Sequence, residues 1–195
     1  MLFFIEPSNI GNTVKIEGED ARHAFALRPD IGDSVTISDG NAFFYSGIIQ
    51  AIDKKGITVK ITSQKPIAHR PYRTHLLAGL LKGDKNEFVI QKAVELGASQ
   101  ISFFLSQNCI AKLPDREKKY KRFVTTAKLA AMQCGSLTIP QIAFLPNFAE
   151  VLRLLREQNG MLFYEHATEK FSSFLKRQAP GKESVFAIGP EGGFS

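Results

Sequence analysis

Apolar and polar residues alternate in short runs over residues 2–62, and turn-forming residues separate the runs. The runs are LFFI, TVKIEG, SVTISDG, AFFYSGIIQAI and GITVKIT. A period of two residues predicts β-strands, and short strands joined by tight turns are typical of a small β-barrel or sandwich. Residues 20–28, DARHAFALR, have helical spacing instead, with Asp20 as the candidate N-cap. They predict a short helix between two strands.

The period changes in the second half of the chain. Residues 63–73, SQKPIAHRPYR, combine two prolines with four basic residues and no apolar periodicity, which predicts a connector. We therefore expect two domains, residues 1–68 and residues 69–195. From residue 74 onwards, buried-strand segments alternate with amphipathic helices, the longest of which spans residues 115–134. This alternation predicts an α/β domain with a parallel sheet.

Charge and cysteine content narrow the choice of partners. Lys and Arg number 25 against 19 Asp and Glu, giving a net charge of +6, and a basic protein attracts polyanions. Cys109 and Cys134 supply neither a disulfide framework nor a zinc site, and the four histidines lack metal-ligand spacing. Cys134, at the end of an alanine-rich helix, is predicted to be buried. Because no segment predicts an export signal or a membrane span, we expect a cytoplasmic protein.

The sharpest local motif is Ile188-Gly189-Pro190-Glu191-Gly192-Gly193, which follows a predicted buried strand. Loops at the carboxyl ends of parallel strands are where open α/β folds bind ligands, and glycines let a ligand approach the backbone. The motif is neither a P-loop nor a dinucleotide fingerprint, so a ligand without phosphate fits better. The acidic Glu191 suits a cationic or hydroxyl-bearing ligand. A purely structural turn remains the alternative.

A second motif, Lys82-Gly83-Asp84-Lys85-Asn86-Glu87, stands at a predicted strand-to-helix junction. Asp84 as N-cap and Glu87 three residues later predict a capping box. Lys82 at the strand end then makes the junction a candidate anion site. Further along the same helix, Lys92 and Glu95 have the spacing of a solvated ion pair.

Basic residues gather in the connector and at the start of the long helix. The connector contributes Lys65, Arg70 and Arg73, and the helix segment contributes Lys112, Arg116, Lys118, Lys119, Lys121 and Arg122. Such a face can neutralise nucleic-acid phosphates, although a solvated helix face is the alternative. His23, on the short helix of the first domain, is either packed or in contact with phosphate.

Several motifs in a fixed order resemble one family. HAFALR at 23–28, Lys82-Gly83-Asp84, QKAVELG at 91–97 and the terminal IGPEGGFS are together similar to the RsmE family of 16S ribosomal RNA uracil-N3 methyltransferases. The resemblance implies an α/β fold: a PUA-like β-barrel that binds RNA, followed by a SPOUT-type methyltransferase domain with a trefoil knot. It also implies a homodimer that uses S-adenosylmethionine and acts on the 16S rRNA of the small ribosomal subunit.

The resemblance assigns candidate residues to two surfaces. The cofactor pocket would comprise Glu165, Gly189, Pro190, Glu191, Gly192 and Gly193. The RNA surface would comprise His23, Arg28, Arg70, Arg73, Lys82, Lys118, Lys119 and Arg122. Uracil N3 must lose a proton during methylation, but the residues do not assign a catalytic base, and no metal is expected.

The family pattern continues past GPEGGFS with a helix and a Leu-Gly-x-Arg-Ile-Leu-Arg-like segment that complete the knot and the cofactor pocket. Ser195 resembles the N-cap of that helix. We therefore expect a chain that ends at Ser195 to be an incomplete methyltransferase domain and to bind S-adenosylmethionine weakly. The competing interpretation is a non-catalytic RNA-binding module in which the glycine-rich loop is structural.

Overall fold

The computed structural model describes residues 1–68, 70–106, 115–158, 160–178 and 183–194. The chain divides into two units. The first contains Met1–Ala68 together with Ala131–Ile139, and the second contains His69–Ala130 together with Pro140–Ser195. The segment Ala131–Ile139 thus joins the first unit, although the sequence pattern placed it at the end of a helix of the second domain.

The first unit is built on a five-stranded sheet in the order β1-β3-β4-β5-β2. Its elements are β1 (Leu2–Phe4), β2 (Thr13–Glu17), α1 (Gly18–Ala26), β3 (Ser34–Ser38), β4 (Phe43–Ile52) and β5 (Gly56–Pro66), with a 3₁₀ turn at Pro7–Asn9. β1 pairs with β3 in parallel, and the other pairs are antiparallel. Alternate residues of β2 are buried, as the period of two residues predicts.

Two boundaries in this unit differ from the predictions. Residues 63–66 are not connector, because they continue β5 and pair with Phe43–Ser46 of β4. Asp20 is not the N-cap of α1, since the helix begins at Gly18 with Glu17 in the cap position. The positive φ of Gly18 explains the early start, because it lets the chain turn directly from β2 into the helix.

The segment Ala131–Ile139 is tied to this unit by polar contacts at the end of β3. The Ser38 hydroxyl donates to the carbonyl of Leu137 at 2.6 Å, and the Ile139 N–H donates to the carbonyl of Gly40 at 3.3 Å. Cys134 lies in this segment and is exposed, so its predicted burial is wrong. The helix that carries it ends there, and Cys134 itself is exposed although Ala131 and Met132 just before it are buried.

The second unit alternates strands and helices, which confirms the predicted α/β pattern. Its elements are β6 (Arg73–Gly79), α2 (Lys85–Glu95), β7 (Gln100–Phe104), α3 (Arg116–Cys134, of which the end joins the first unit), β8 (Gln141–Phe144), α4 (Phe148–Glu157), β9 (Met161–Phe163), α5 (Phe171–Arg177) and β10 (Glu183–Ile188). The sheet order is β8-β7-β6-β10-β9, and every pair is parallel.

Both faces of this sheet are covered by apolar side chains. On one face, Leu77, Phe104 and Val185 pack with Val151 and Leu155 of α4. Helix α4 begins at Asn147, whose side chain accepts the N–H of Glu150 at 3.0 Å. The phenyl rings of Phe103, Phe123 and Phe144 form a second cluster, in which the first two centroids are 4.7 Å apart. Burial on both faces is what a parallel sheet requires.

The order of the strands creates a switch point in the middle of the sheet. From β6 the chain moves outward through β7 to β8, and it later returns through β9 and β10 on the other side of β6. The strand order therefore changes direction between β6 and β10. We call the carboxyl edge of the sheet at these two strands the crevice, because open α/β folds bind ligands at such a position. Within the described residues, no helix is long and apolar enough to span a membrane.

Candidate functional site

The glycine-rich loop after β10 lies in the crevice at the switch point. Gly79, the last residue of β6, faces this loop so closely that an added Cβ would lie 2.6 Å from Cδ of Pro190. The Gly193 N–H donates to the carbonyl of Pro190 at 2.9 Å, and Gly193 has a φ of +67°. Pro190 is buried, while Glu191 and Gly192 are exposed. The loop is thus a tight turn whose tip faces solvent.

Glu191 connects this turn to the junction after β6. Its Oε1 accepts from the Lys82 backbone N–H at 3.4 Å and pairs with Lys85 Nζ at 3.2 Å. A hydrogen bond from its own backbone N–H, followed by the ion pair with Lys85, lowers the pKa of Glu191 below its ordinary value. The carboxylate is therefore charged at neutral pH and bound to protein groups, although the sequence suggested that it faces a ligand.

A second carboxylate, that of Glu165, stands on the other side of the turn. It follows β9, and an added Cβ on Gly193 would lie 3.3 Å from its Oε1. The structure therefore brings together Glu165 and Gly193, which the sequence analysis assigned to one pocket. Three exposed apolar residues lie at the same edge of the sheet. Leu105 directly follows β7, Tyr164 directly follows β9, and Ile188 is the last residue of β10.

The junction after β6 is organised by Asn86, a residue that the sequence analysis passed over. Its side chain is fully buried. Its Oδ1 accepts the Leu81 N–H at 2.9 Å, and its Nδ2 donates to the Leu81 carbonyl at 2.7 Å. An Asn that directly follows the Gly-Asp-Lys turn at the start of an amphipathic helix was the available signal, because polar residues there often satisfy loop backbone groups.

The predicted capping box at this junction is wrong. Asp84 occupies the N-cap position but its side chain makes no capping hydrogen bond. Both acids bind Arg122 of α3 instead: Arg122 Nη2 is 2.8 Å from Asp84 Oδ1, and Arg122 Nε is 2.7 Å from Glu87 Oε1. A charged guanidinium attracts the carboxylates more strongly than the neutral helix N–H groups do. The predicted pair of Lys92 and Glu95 is present at 2.8 Å.

The basic residues predicted for RNA lie in several places. In the second unit, Lys82 is at the carboxyl edge of the sheet, whereas Arg73 begins β6 and lies 3.9 Å from Glu183 at the amino edge. Arg70 packs against the end of α2, where a side chain at Gly97 would overlap its guanidinium. The structure therefore does not bring Arg70 and Arg73 to the crevice that contains the glycine-rich loop.

The remaining predicted RNA residues lie on two helices or directly after one. Lys118 is exposed on α3, and Lys119 Nζ lies 5.7 Å from the ring centroid of Phe123. Both are on the helix that carries Arg122. In the first unit, His23 is exposed on α1 with its ring edge-to-face to Phe3, and Arg28 adopts a φ of +52° just beyond the helix.

A buried polar pair lies between the two central strands β6 and β7. His75 Nε2 is 2.8 Å from Ser102 Oγ, and both side chains are buried. Burial lowers the pKa of His75 to about 4, so the ring is neutral at physiological pH. Among the described residues, no three His, Cys, Asp or Glu side chains are grouped so that they could bind a metal.

Comparison with known proteins decides the family. Residues 68–195 match the model of the RNA methyltransferase domain, and residues 16–62 match that of the RNA methyltransferase PUA domain. The chain belongs to the RNA methyltransferase domain family. The first match covers most of the chain, including the whole crevice.

Relatives of this RNA methyltransferase carry one name. The chain is 27% identical over 195 residues to ribosomal RNA small subunit methyltransferase E of Bacillus subtilis, covering 94% of this chain and 75% of the relative. It is 31% identical over 156 residues to the protein of the same name from Mesomycoplasma hyopneumoniae, covering 79% and 66%. These names confirm the resemblance to the RsmE family.

Solved structures confirm the fold of this family member. A methyltransferase E from Neisseria gonorrhoeae, bound to S-adenosyl methionine, superposes with a TM-score of 0.84 at 24% identity, covering 100% of this chain and 81% of that one. A Legionella pneumophila protein assigned as a methyltransferase, in complex with SAM, gives 0.85 at 25% identity, covering 99% and 80%. The predicted fold class, a PUA-like domain followed by a SPOUT-type α/β domain, is confirmed.

Proposed function

We propose that this protein transfers a methyl group from S-adenosylmethionine to N3 of a uracil in the 16S rRNA of the small ribosomal subunit. One observation carries the proposal: the glycine-rich turn lies at the switch point of the sheet, beside the carboxylate of Glu165, in a chain of the RNA methyltransferase domain family. The names of the relatives, and the SAM bound to the similar structures, support the substrate class and the cofactor.

The residues of the crevice fit S-adenosylmethionine. This cofactor contains a flat adenine ring on a ribose and a sulfonium cation but no phosphate, so it needs no P-loop lysine. Backbone groups of Gly189–Gly193 and the exposed side chains of Leu105 and Ile188 would bind the adenosyl group. The Glu165 carboxylate would attract the cationic part. When bound, the cofactor supplies an electrophilic methyl group.

The chain's own contribution is to position the two reactants. Methyl transfer needs the attacking nitrogen in line with the methyl group, and correct orientation alone supplies a large part of an enzyme's rate enhancement. Glu191 and Lys85 fix the turn against the junction after β6. Lys82, exposed at the same edge, and the basic residues of α3 would bind RNA phosphates.

Two further properties belong to the proposal. The protein would act as a homodimer, as the resemblance to the RsmE family implies. It would work in the cytoplasm, where small ribosomal subunits are assembled. Size-exclusion chromatography with light scattering tests the first property, because a dimer has twice the mass of the chain.

The proposal is tested by methyl transfer from labelled S-adenosylmethionine to small ribosomal subunits. We compare Gly193→Ala with Gly135→Ala, because both glycines have a positive φ and suffer the same backbone strain. Only the Cβ at residue 193 crowds Glu165, whereas the site at residue 135 is open. We expect Gly193→Ala to lower both labelling and cofactor affinity severalfold while Gly135→Ala retains them.

The outcomes separate the proposal from its alternative. Equal labelling by the two variants would show that the turn is not the cofactor site. RNA binding that depends steeply on salt, without any labelling by the full-length wild-type protein, would instead support the non-catalytic RNA-binding module.

A further inference from the structure

A groove of about 480 Å³ lies beside the first turns of α3 in the second unit. It is lined by Arg116, Glu117 and Tyr120 of the helix and by Ala143 and Phe144 of β8. β8 is an edge strand of the sheet, so this groove opens on the side of the sheet and is separate from the crevice at the switch point. The function described above does not use it.

The groove combines a fixed aromatic floor with an exposed ring. Phe144 packs on the fully buried Phe123, with ring centroids 5.6 Å apart. Arg116 lies 5.7 Å from the Phe144 centroid, and its Nη2 donates to the Phe144 carbonyl at 2.8 Å. Tyr120 as a whole residue is 43% exposed. A planar guanidinium beside aromatic rings makes a slot for a flat, partly polar group.

The charge around the groove selects a polyanion. Glu117 is the single acid among the described residues that line it, and its carboxylate is paired with Lys121 at 2.7 Å. The nearby Asp115 caps α3, since its Oδ1 accepts the Lys118 N–H at 2.9 Å. Because Glu117 is paired with Lys121, Arg116 gives the described lining a net positive charge. Among polyanions, a nucleic acid also carries flat rings that fit the slot.

The groove and the crevice lie at the same edge of the sheet. Phe144 ends β8, and the glycine-rich turn follows β10, so both lie at the carboxyl edge of one sheet. Three strand spacings separate β8 from β10, which is roughly 14 Å. A single RNA strand can therefore occupy both places, with its target base in the crevice and a neighbouring base in the groove.

We propose that this groove binds an unpaired nucleobase of the RNA substrate, stacked on Tyr120 beside Arg116. The inference rests on the proposed function, because it names how the substrate is recognised. Stacking on an aromatic side chain tolerates every base, since each base has a flat face. The groove therefore adds affinity for single-stranded RNA and fixes its register.

The test measures the affinity of the wild-type chain and of variants for a fluorescent oligouridylate and for an abasic strand of the same length. Removing the ring in Tyr120→Ala should weaken binding of the oligouridylate about tenfold and leave binding of the abasic strand unchanged. Tyr120→Phe keeps the ring and should bind like the wild type. Tyr72→Ala, which removes another exposed tyrosine before β6, is the matched control.

The results distinguish this inference from the function on which it rests. If the wild type prefers the oligouridylate and Tyr120→Ala keeps that preference, the groove does not bind a base, whereas RNA binding itself stands. If the wild-type chain binds neither strand, RNA recognition and the proposed function fail together. Equal losses for both strands in Tyr120→Ala would overturn the stacking role, and thermal unfolding of each variant checks its fold.

Discussion

Two loops meet at the candidate site, and they obtain their shapes in different ways. The turn after β10 is shaped by backbone proximity: Gly79 leaves room for Pro190, and Gly193 adopts a positive φ. The junction after β6 is shaped by side chains, through the buried amide of Asn86 and the ion pairs of Arg122. The first kind of loop is visible in a sequence as a glycine motif, whereas the second depends on partners that are distant in the chain.

The largest effect should come from filling the space between β6 and the turn. In Gly79→Ala, the new Cβ would overlap Pro190, and part of the sheet or the turn must move. We expect the free energy of unfolding of the second unit to fall by about 3 kcal/mol and cofactor affinity to fall with it. Urea unfolding measures the first quantity and calorimetry the second.

Gly11→Ala provides the control for this comparison. Gly11 has no positive φ, and its added Cβ would meet nothing closer than 3.9 Å. The control should unfold like the wild type. If Gly79→Ala were equally stable, backbone proximity would not determine the shape of the turn.

The second-largest loss of stability should come from removing the buried amide of Asn86. Asn86→Ala leaves the N–H and the carbonyl of Leu81 without their side-chain partner. We expect a loss of about 2 kcal/mol in the free energy of unfolding. Gln91→Ala, on the same helix, removes an amide that donates to the exposed Glu95 and should cost far less. Comparable losses in the two variants would refute a special role for Asn86.

The smallest effect should come from the contact that joins the two loops. Glu191→Gln removes the charge that pairs with Lys85 and should lower the unfolding temperature slightly, because exposed ion pairs stabilise little. The pKa of Glu191 is lowered, so its stabilising contribution is present above the ordinary glutamate pKa and disappears as the pH falls below it.

This pH dependence can be measured directly. The difference in unfolding temperature between the wild type and Glu191→Gln should be present at neutral pH and should shrink progressively as the pH falls below the ordinary glutamate pKa. Salt should reduce it as well. A difference that persists in acid would mean that Glu191 acts through its shape and not through its charge.

The contrast between the two loops also explains which features of the fold and of the candidate site could be predicted from the sequence. Periodicity predicted the strand and helix alternation of the second unit, because a hydrophobic pattern directly reflects which face is buried. The resemblance to the RsmE family put Glu165 and Gly193 in one pocket, and the structure has the two residues next to each other. The capping box failed because Arg122, which is 38 residues from Asp84, takes both carboxylates. The sequence analysis missed Asn86 because its side chain stabilises the loop only when it is buried, and no local sequence pattern shows burial.

The wrong predictions at the ends of β5 and α3 have similar physical causes. Residues 63–66 contain Pro66 and Lys65 and therefore resemble a connector, yet pairing with β4 makes them a strand. Cys134 follows an apolar helix segment in which Ala131 and Met132 are buried, yet the cysteine is exposed at the end of the helix. In each case a tertiary contact, or its absence, overrides the local preference.

The central place of β10 has a consequence for how the second unit is made. Its residues 183–188 pair with residues 73–78 on one side, and its final three residues pair with β9 on the other. During synthesis, β6 therefore cannot pair with β10 until more than half of the chain has followed β6 out of the ribosome. Contacts so distant in sequence form slowly. We expect the nascent second unit to expose strand edges for longer than the first, and to depend more on chaperones that shield them.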